Sequence, residues 1–114
     1  MTKARNHLGA WGEALVADWY LSQGFEVLAR NWRGAAGELD LVVRRGSTVV
    51  FCEVKTRSTT AFGTPAEAVS KAKQARLRTL ALAWLAEAQP RVAELRFDVG
   101  CVLAGEVDVI EAAF

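Results

Sequence analysis

The sequence lacks the marks of several large protein classes. Its longest apolar run, residues 80–86, is far shorter than the roughly 20 residues that cross a bilayer. The N-terminal residues contain no continuous apolar segment of the kind that a signal peptide needs. The two cysteines, Cys52 and Cys101, lie in apolar runs without the close spacing of a zinc site. We therefore expect a soluble, cytoplasmic protein with no membrane partner and with two reduced thiols in its core.

Glycine-rich phosphate loops, serine-hydrolase elbows and internal repeats are also missing, and proline occurs only at positions 65 and 90. The chain has 114 residues, of which 52% are hydrophobic and 24% are charged, as is typical of a globular domain. A chain of this length buries enough surface to fold without disulfides or metal. We predict a single domain over residues 1–114.

The net charge of +1 conceals an uneven distribution of charged residues. Residues 1–80 carry 12 basic and 7 acidic side chains, a net of +5, whereas residues 81–114 carry 2 and 6, a net of −4. Such a basic region is compatible with a face that binds phosphates, although charge also fluctuates along chains that bind nothing.

Hydrophobic periodicity predicts an α/β domain with the element order α-β-β-β-α-β-β. The predicted helices cover residues 6–23 and 65–88, and the predicted strands cover 25–32, 38–45, 48–57, 92–103 and 107–110. A capping-box pattern at residues 64–67 marks the start of the second helix, after a loop over residues 58–64. The second and third strands form an antiparallel hairpin, and a central mixed sheet lies between the helices.

The first predicted helix has an apolar stripe at helical spacing, and we expect that stripe to face the core. Its members are Leu8, Trp11, Leu15 and Trp19. One carboxylate elsewhere in the chain, Asp98, alternates out of an apolar strand face and is predicted to lie at the surface or to anchor a loop.

The residues that suggest chemistry lie on the predicted hairpin. Because side chains two apart in a strand share a face, Glu38 and Asp40 point to one side, away from Leu39 and Leu41. On the next strand Glu53 shares a face with four other side chains, Val49, Phe51, Lys55 and Arg57, opposite Val50, Cys52 and Val54. Glu53 follows an apolar run, and a buried carboxylate without a partner costs several kcal/mol.

Two carboxylates and a lysine can neutralise one another, or they can hold a divalent cation. Hard oxygen ligands suit Mg²⁺, which often binds through only one or two carboxylates. Mg²⁺ would offset charge on a phosphodiester, and Lys55 could orient the attacking water. Asp40 and Glu53 as ligands, with Lys55 beside them, would form a minimal hydrolytic site, and a purely structural ion-pair network is the alternative.

The second predicted helix carries a lysine on its apolar stripe. Lys73 lies four residues from both Val69 and Leu77, and the stripe continues through Leu80 and Trp84. Such a lysine either extends to the surface or meets an anion, which here would be a site carboxylate or a substrate phosphate. A basic surface could track phosphates without reading sequence, and its candidates are Lys71, Lys73, Arg76, Arg78, Arg30, Arg33, Arg44, Arg45 and Arg57.

The segment GELDLVVRRGSTVVFCEVKTR resembles the core of the PD-(D/E)XK nuclease superfamily, with Asp40 as the motif aspartate and Glu53-Val54-Lys55 as the (D/E)XK element. Over residues 7–114 the chain resembles the YraN family of predicted bacterial endonucleases, through LGAWGEALVADWYL, NWR, GELDLV, FCEVKTR, AVSKAKQARL and RFDVG. That family is similar to the archaeal Holliday-junction resolvases. No proline precedes Asp40, so the resemblance leaves open whether Glu38 is a ligand, a supporting partner or a bystander.

The resemblance implies a restriction-endonuclease-like fold, Mg²⁺ as cofactor with Mn²⁺ as a substitute, duplex or branched DNA as partner, and a homodimer. It implies catalytic roles for Asp40, Glu53, Lys55, Glu13 and Glu38, the last two being open. The implied metal ligands are Asp40, Glu53, the backbone carbonyl of Val54 and Glu13, which comes from the first helix. The implied nucleic-acid-binding residues are Lys73, Gln74, Arg57, Lys71 and Arg33.

Three hypotheses follow for the function. The first is a Mg²⁺-dependent DNA endonuclease that is either structure-selective, acting on branched DNA in repair or recombination, or only weakly specific. The second is a nucleic-acid-binding or scaffolding module that retains the nuclease fold without catalysis. The third is a protein-interaction domain whose charged residues are structural.

Overall fold

The computed structural model describes residues 3–57 and 69–114, so the predicted loop at 58–64 and the capping box at 64–67 lie outside the described residues. The element order α-β-β-β-α-β-β is confirmed. The elements are α1 (Lys3–Ser22), β1 (Glu26–Gly34), β2 (Gly37–Arg45), β3 (Thr48–Arg57), α2 (Lys71–Ala88), β4 (Glu94–Leu103) and β5 (Glu106–Ile110).

The five strands form one mixed sheet in the order β1-β2-β3-β4-β5. The pairs β1–β2, β2–β3 and β4–β5 are antiparallel, whereas the pair β3–β4 is parallel. The parallel pair requires a crossover between its strands, and α2 lies in that connection. The predicted β2–β3 hairpin is confirmed, and its turn contains Gly46 at φ +61°, a conformation that favours glycine.

Each face of the sheet is covered by one helix. On the α1 side, Val50 and Cys52 of β3 pack in a cluster with Val16 of α1. On the α2 side, Val49 and Phe51 pack in a second cluster with α2. The predicted alternation along β3 is therefore confirmed, and β3 is apolar on both faces because it lies in the middle of the sheet. Cys52 and Cys101 are buried free thiols, as predicted.

The predicted apolar stripe of α1 is wrong in its first half, whereas Leu15 and Trp19 in its second half are half-buried and pack against the α1-side cluster, as predicted. Leu8 and Trp11 are 43% and 47% exposed, whereas Val16, Ala17 and Tyr20 are fully buried. The helix is rotated relative to the prediction because its contact face is built on small residues as well as large ones. Periodicity of large apolar residues does not detect such a face.

Close approach of α1 to the sheet depends on two glycines. A Cβ at Gly12 would lie 1.8 Å from the Oγ1 of Thr56 on β3. A Cβ at Gly100 on β4 would lie 2.7 Å from the Cγ1 of Val16. These positions leave no room for a side chain, so α1 packs directly on the backbone of the sheet.

Helix α2 begins later than predicted. Ser70 is its N-cap, with an extended backbone and a side chain that accepts a hydrogen bond from the Lys73 N–H at 3.1 Å. The expected helical conformation at residues 69 and 70 is therefore wrong, and residues 65–68 lie outside the described residues. The helix ends at Gln89 in the left-handed conformation, just before Pro90. The buried positions Leu77, Leu80 and Trp84 agree with the predicted stripe.

The strand alternation breaks on β2 at Asp40. Leu39 packs in the α2-side cluster and Leu41 in the α1-side cluster, so the prediction that they share a face is wrong. The register pairs Arg30 with Leu41 and Trp32 with Leu39. Asn31, which lies between those partners on β1, adopts a left-handed conformation at φ 49° and distorts the ladder opposite Asp40.

Asp98 is fully buried, so its predicted surface position is wrong, while its predicted anchoring role is confirmed. It accepts hydrogen bonds from the Tyr20 hydroxyl at 2.6 Å, from the Arg96 guanidinium at 2.9 and 3.0 Å, and from the Ala112 N–H at 3.0 Å. This network joins α1, β4 and the turn after β5. No helix in the described parts of the chain combines the length and apolarity needed to traverse a membrane.

Candidate functional site

Three carboxylates from two elements converge beside the distorted part of β2. Glu13 of α1 and Glu38 and Asp40 of β2 each offer an oxygen, and these oxygens lie within 4.8 Å of one another. All three residues are half-buried. The structure therefore brings together the predicted motif aspartate and the two glutamates whose participation the sequence left open.

Asn31 links two of these carboxylates, and sequence reasoning missed it. Its side-chain amide donates to Glu13 Oε1 at 2.8 Å and to Glu38 Oε1 at 3.1 Å. Asparagine tolerates the left-handed conformation better than most residues do, so the backbone that distorts β1 also directs the amide. The sequence signal was an asparagine within a strand, where that residue is depleted.

The charge state of this cluster fits a divalent cation. Burial raises the pKa of Glu13, and the neighbouring Glu38 raises it further, although the hydrogen bond from Asn31 opposes the shift. Three oxygens from mutually repelling carboxylates form a donor set of the type that Mg²⁺ and Mn²⁺ take. A cation would relieve the repulsion between Glu13 and Glu38.

Asp40 connects this acidic cluster to β3. Its Oδ2 accepts a hydrogen bond from the Val54 N–H at 2.9 Å. Burial raises the pKa of Asp40 to about 9, and its hydrogen bond with the Glu53 carboxyl adds to the shift. The protonated form of Asp40 is therefore favoured more than in an ordinary aspartate, and a bound cation would oppose that shift.

Glu53 is held by lysines. Its carboxylate is 6% exposed, its Oε2 contacts the ammonium of Lys73, and the Nζ of Lys55 lies 3.9 Å away. Burial opposes its ionisation, but hydrogen bonds with Asp40 and Lys73 outweigh burial and lower its pKa. Of the partners predicted for Lys73, the structure shows the site carboxylate.

The two lysines differ in acidity. Burial lowers the pKa of Lys55, and the nearby Lys73 ammonium lowers it further. Burial also opposes the charge on Lys73, but its contact with Glu53 prevails and raises the pKa. Lys55 is thus the lysine that releases a proton more readily, while Lys73 remains charged beside Glu53.

Comparison with known proteins identifies the family. The sequence profile of the uncharacterised protein family UPF0102 matches residues 12–102. The chain belongs to the UPF0102 family. It is 54% identical over 101 residues to a UPF0102 protein of Beutenbergia cavernae, covering 89% of this chain and 86% of the relative. A UPF0102 protein of Acidothermus cellulolyticus is 48% identical over 115 residues, covering 92% and 87%. A third, from Nocardia farcinica, is 53% identical over 96 residues, covering 84% and 76%. The predicted YraN relationship is thereby confirmed.

The acidic cluster of this UPF0102 protein is open to solvent on both sides of the sheet. A groove of about 290 Å³ between β2 and α2 is lined by Glu38, Asp40, Glu53 and Lys73, among others. A smaller one of about 90 Å³ on the α1 side is lined by Glu13, Asn31 and Asp40, among others. Asp40 therefore lies at the boundary between the two grooves.

The remaining predicted residues of the UPF0102 chain occupy different positions. Arg33 is 82% exposed, with its Nε 3.5 Å from Glu38 Oε2, and Lys71 is exposed at the start of α2. The Gln74 side chain donates to the Val69 carbonyl at 3.1 Å, so this amide supports the start of α2. Arg57 lies at the end of β3. The roles of these residues in DNA binding stay predictions, as does the Val54 carbonyl as a ligand.

Proposed function

We propose that this UPF0102 protein is a divalent-metal-dependent endonuclease that hydrolyses phosphodiester bonds in DNA. The observation that carries the proposal is the convergence of Glu13, Glu38 and Asp40 within 4.8 Å, next to two lysines that share Glu53. An acidic cluster alone is common on protein surfaces. Acidic ligands beside partly buried ammonium groups match what an anionic, slowly hydrolysed substrate requires.

Glu13, Glu38 and Asp40 would hold the ion, which we take to be Mg²⁺ or Mn²⁺. The chemistry that the ion supplies when bound is neutralisation of charge on the phosphodiester and acidification of the attacking water. The Asn31 amide donates to Glu13 and Glu38 and so fixes the positions of these two carboxylates. Loss of the Asp40 proton would accompany uptake of the ion.

The lysines act on the substrate and on Glu53. Lys73 is held against Glu53 and fixes that carboxylate beside Asp40. The Nζ of Lys55 lies 3.9 Å from Glu53 Oε2, and this ammonium can donate to a phosphate oxygen or orient the attacking water. Its lowered pKa allows proton exchange with water during the reaction.

DNA is the substrate that the surrounding charge favours. Lys73 and Arg76 line the groove beside Glu38 and Asp40, and Arg33 lies by Glu38; cations in such positions contact the phosphate backbone without reading sequence. We further propose selectivity for branched DNA, and a homodimer whose two sites cut the two strands of a symmetric junction.

The test is a cleavage screen over duplex, flap, single-stranded and four-way DNA with Mg²⁺ or Mn²⁺. We expect cleavage that EDTA stops and that Asp40→Ala, Glu53→Ala or Lys55→Ala each abolishes. Glu87→Ala, at an exposed position near the end of α2, is the matched control and should cut normally. Cleavage that persists in all three site variants would reject the proposal.

The same screen separates the proposal from the non-catalytic alternative. A binding or scaffolding module would retain DNA affinity that falls steeply with salt, would need no metal and would keep that affinity in the three site variants. A protein without DNA affinity or cleavage on every substrate would contradict both functions.

A further inference from the structure

A third groove, of about 430 Å³, lies between the first half of α1 and the end of β3. It is lined by Leu8, Gly9, Glu13, Val54, Lys55, Thr56 and Arg57. The groove shares Glu13 and Lys55 with the candidate site, so a molecule bound in it would lie next to the acidic cluster. Its other lining residues have no part in the proposed cleavage chemistry.

One part of this groove has the chemistry of a phosphate site. Lys55 and Arg57 supply two cations against the single carboxylate of Glu13, and Thr56 is the hydroxyl-bearing residue of the lining. Within residues 3–57 and 69–114, the Nε of Arg57 is buried and has no hydrogen-bond partner. Buried donors are normally paired, and a guanidinium binds phosphate oxygens with well-matched geometry.

The other part of the groove is apolar and open. Leu8 is 43% exposed although it is a large apolar side chain, and Val54 lies half-buried beside it in the lining. Gly9 contributes no side chain, and a Cβ built there would meet no atom within 4 Å. The surface can therefore cover the flat face of a base and a sugar next to the cations.

We propose that this groove is a nucleotide subsite, which holds one nucleotide of the DNA strand adjacent to the cleaved phosphodiester. Lys55 and Arg57 bind its phosphate, and Leu8 and Val54 contact its base and sugar. The inference rests on the proposed endonuclease function, because it is the shared residues that place this nucleotide beside the cluster. It adds a specific position for the substrate, on the α1 side of the sheet.

Gly9→Leu tests the proposal without disturbing the fold. The new side chain would extend into open space, and leucine is a better helix former than glycine, so the Tm should equal or exceed that of the wild type. Leu82→Ala, at a 67% exposed position on α2, is the control away from the groove. Arg57→Ala removes the phosphate contact and leaves the groove open.

The binding assay is a metal-free NMR titration with deoxythymidine 5′-monophosphate. We expect shifts in the amide resonances of Gly9 and Thr56, and an affinity at least tenfold weaker in Gly9→Leu and Arg57→Ala, with Leu82→Ala unchanged. Thymidine should bind more weakly than the monophosphate. If inorganic phosphate binds as tightly as the nucleotide, or if Gly9→Leu binds the nucleotide normally, the subsite is refuted.

The cleavage assay distinguishes this inference from the proposed function. With a DNA substrate that the wild type cuts, Gly9→Leu should raise KM at least tenfold, while Leu82→Ala keeps the wild-type KM. Normal cleavage by Gly9→Leu would overturn the subsite and leave the endonuclease proposal standing. A wild type that cuts none of the substrates would reject the endonuclease proposal whatever the titration shows.

Discussion

Replacing Gly12 with alanine probes how α1 brings Glu13 into the acidic cluster. The added Cβ would lie 1.8 Å from Thr56 Oγ1, whereas ordinary contacts begin at 3.4 Å, so the Thr56 side chain must rotate or the helix and the strand must separate. Rotation of Thr56 relieves only part of the clash, because its Cβ lies 3.0 Å from the same point and does not move with χ1. The backbone must move.

The matched control is Gly9→Ala, one turn earlier on the same helix, where a Cβ meets nothing within 4 Å. Both substitutions improve helix propensity by about 0.8–1 kcal/mol. Overpacking at Gly12 costs about 1–3 kcal/mol, and this cost opposes the gain. We expect Gly9→Ala to raise the free energy of unfolding and Gly12→Ala to fall about 1–3 kcal/mol below it in urea denaturation.

The functional consequence follows from the position of Glu13. A shift of α1 carries this carboxylate away from Glu38 and Asp40, which lie within 4.8 Å of it in the present arrangement. We expect the affinity for Mn²⁺, measured by calorimetry, to fall about tenfold in Gly12→Ala, which corresponds to about 1.4 kcal/mol. Equal stability and equal Mn²⁺ affinity in the two glycine variants would refute the reasoning.

Three further predictions concern the buried charges. Lys73→Met leaves Glu53 buried without its main partner and should cost about 1–3 kcal/mol in urea denaturation, at the lower end because Lys73 is 31% exposed; adding Glu53→Gln should restore stability, and an unchanged single variant would count against the ion pair. Asp40 has an ordinary pKa of 3.8 that the fold raises to about 9, so wild-type stability falls as pH rises between these values. Asp40→Asn removes that loss, so the Tm of the variant minus the Tm of the wild type should increase between pH 5 and pH 8 and reach about 4 °C or more at pH 8. A Tm difference that does not change with pH would contradict the pKa shift. Tyr20→Phe removes a 2.6 Å donor from buried Asp98 and should cost about 1–3 kcal/mol, while an unchanged Tm would show that the remaining donors suffice.

The sequence predicted the parts of this protein that depend on local pattern. Alternation along β3 and the short turn before it were sufficient to predict the β2–β3 hairpin and the buried position of Glu53. Because the motif residues lie on adjacent strands, their proximity followed from the hairpin itself. Lys73 was predicted, from its place on an apolar stripe, either to extend to the surface or to meet an anion, and it contacts Glu53.

The features that the sequence did not predict depend on partners that are distant in the chain. Gly12 belongs to the contact face of α1 because Thr56 lies opposite it, and a periodicity of large residues could not detect this part of the face. Asp98 is buried because Tyr20, 78 positions away, donates to it. The role of Asn31 depends on a left-handed backbone angle inside a strand, for which no sequence pattern is specific.

The site separates into two functional halves that meet at Asp40. On one side Glu53 is neutralised by lysines, so its charge contributes little attraction for an added cation. On the other side Glu13 and Glu38 accept hydrogen bonds from the Asn31 amide, and the exposed Arg33 lies 3.5 Å from Glu38. If the proposed cation binds, its ligands would therefore come mainly from the second half, and that half is complete only when α1 packs closely on the sheet. On this proposal the position of the helix would matter at least as much for metal binding as the motif on the hairpin.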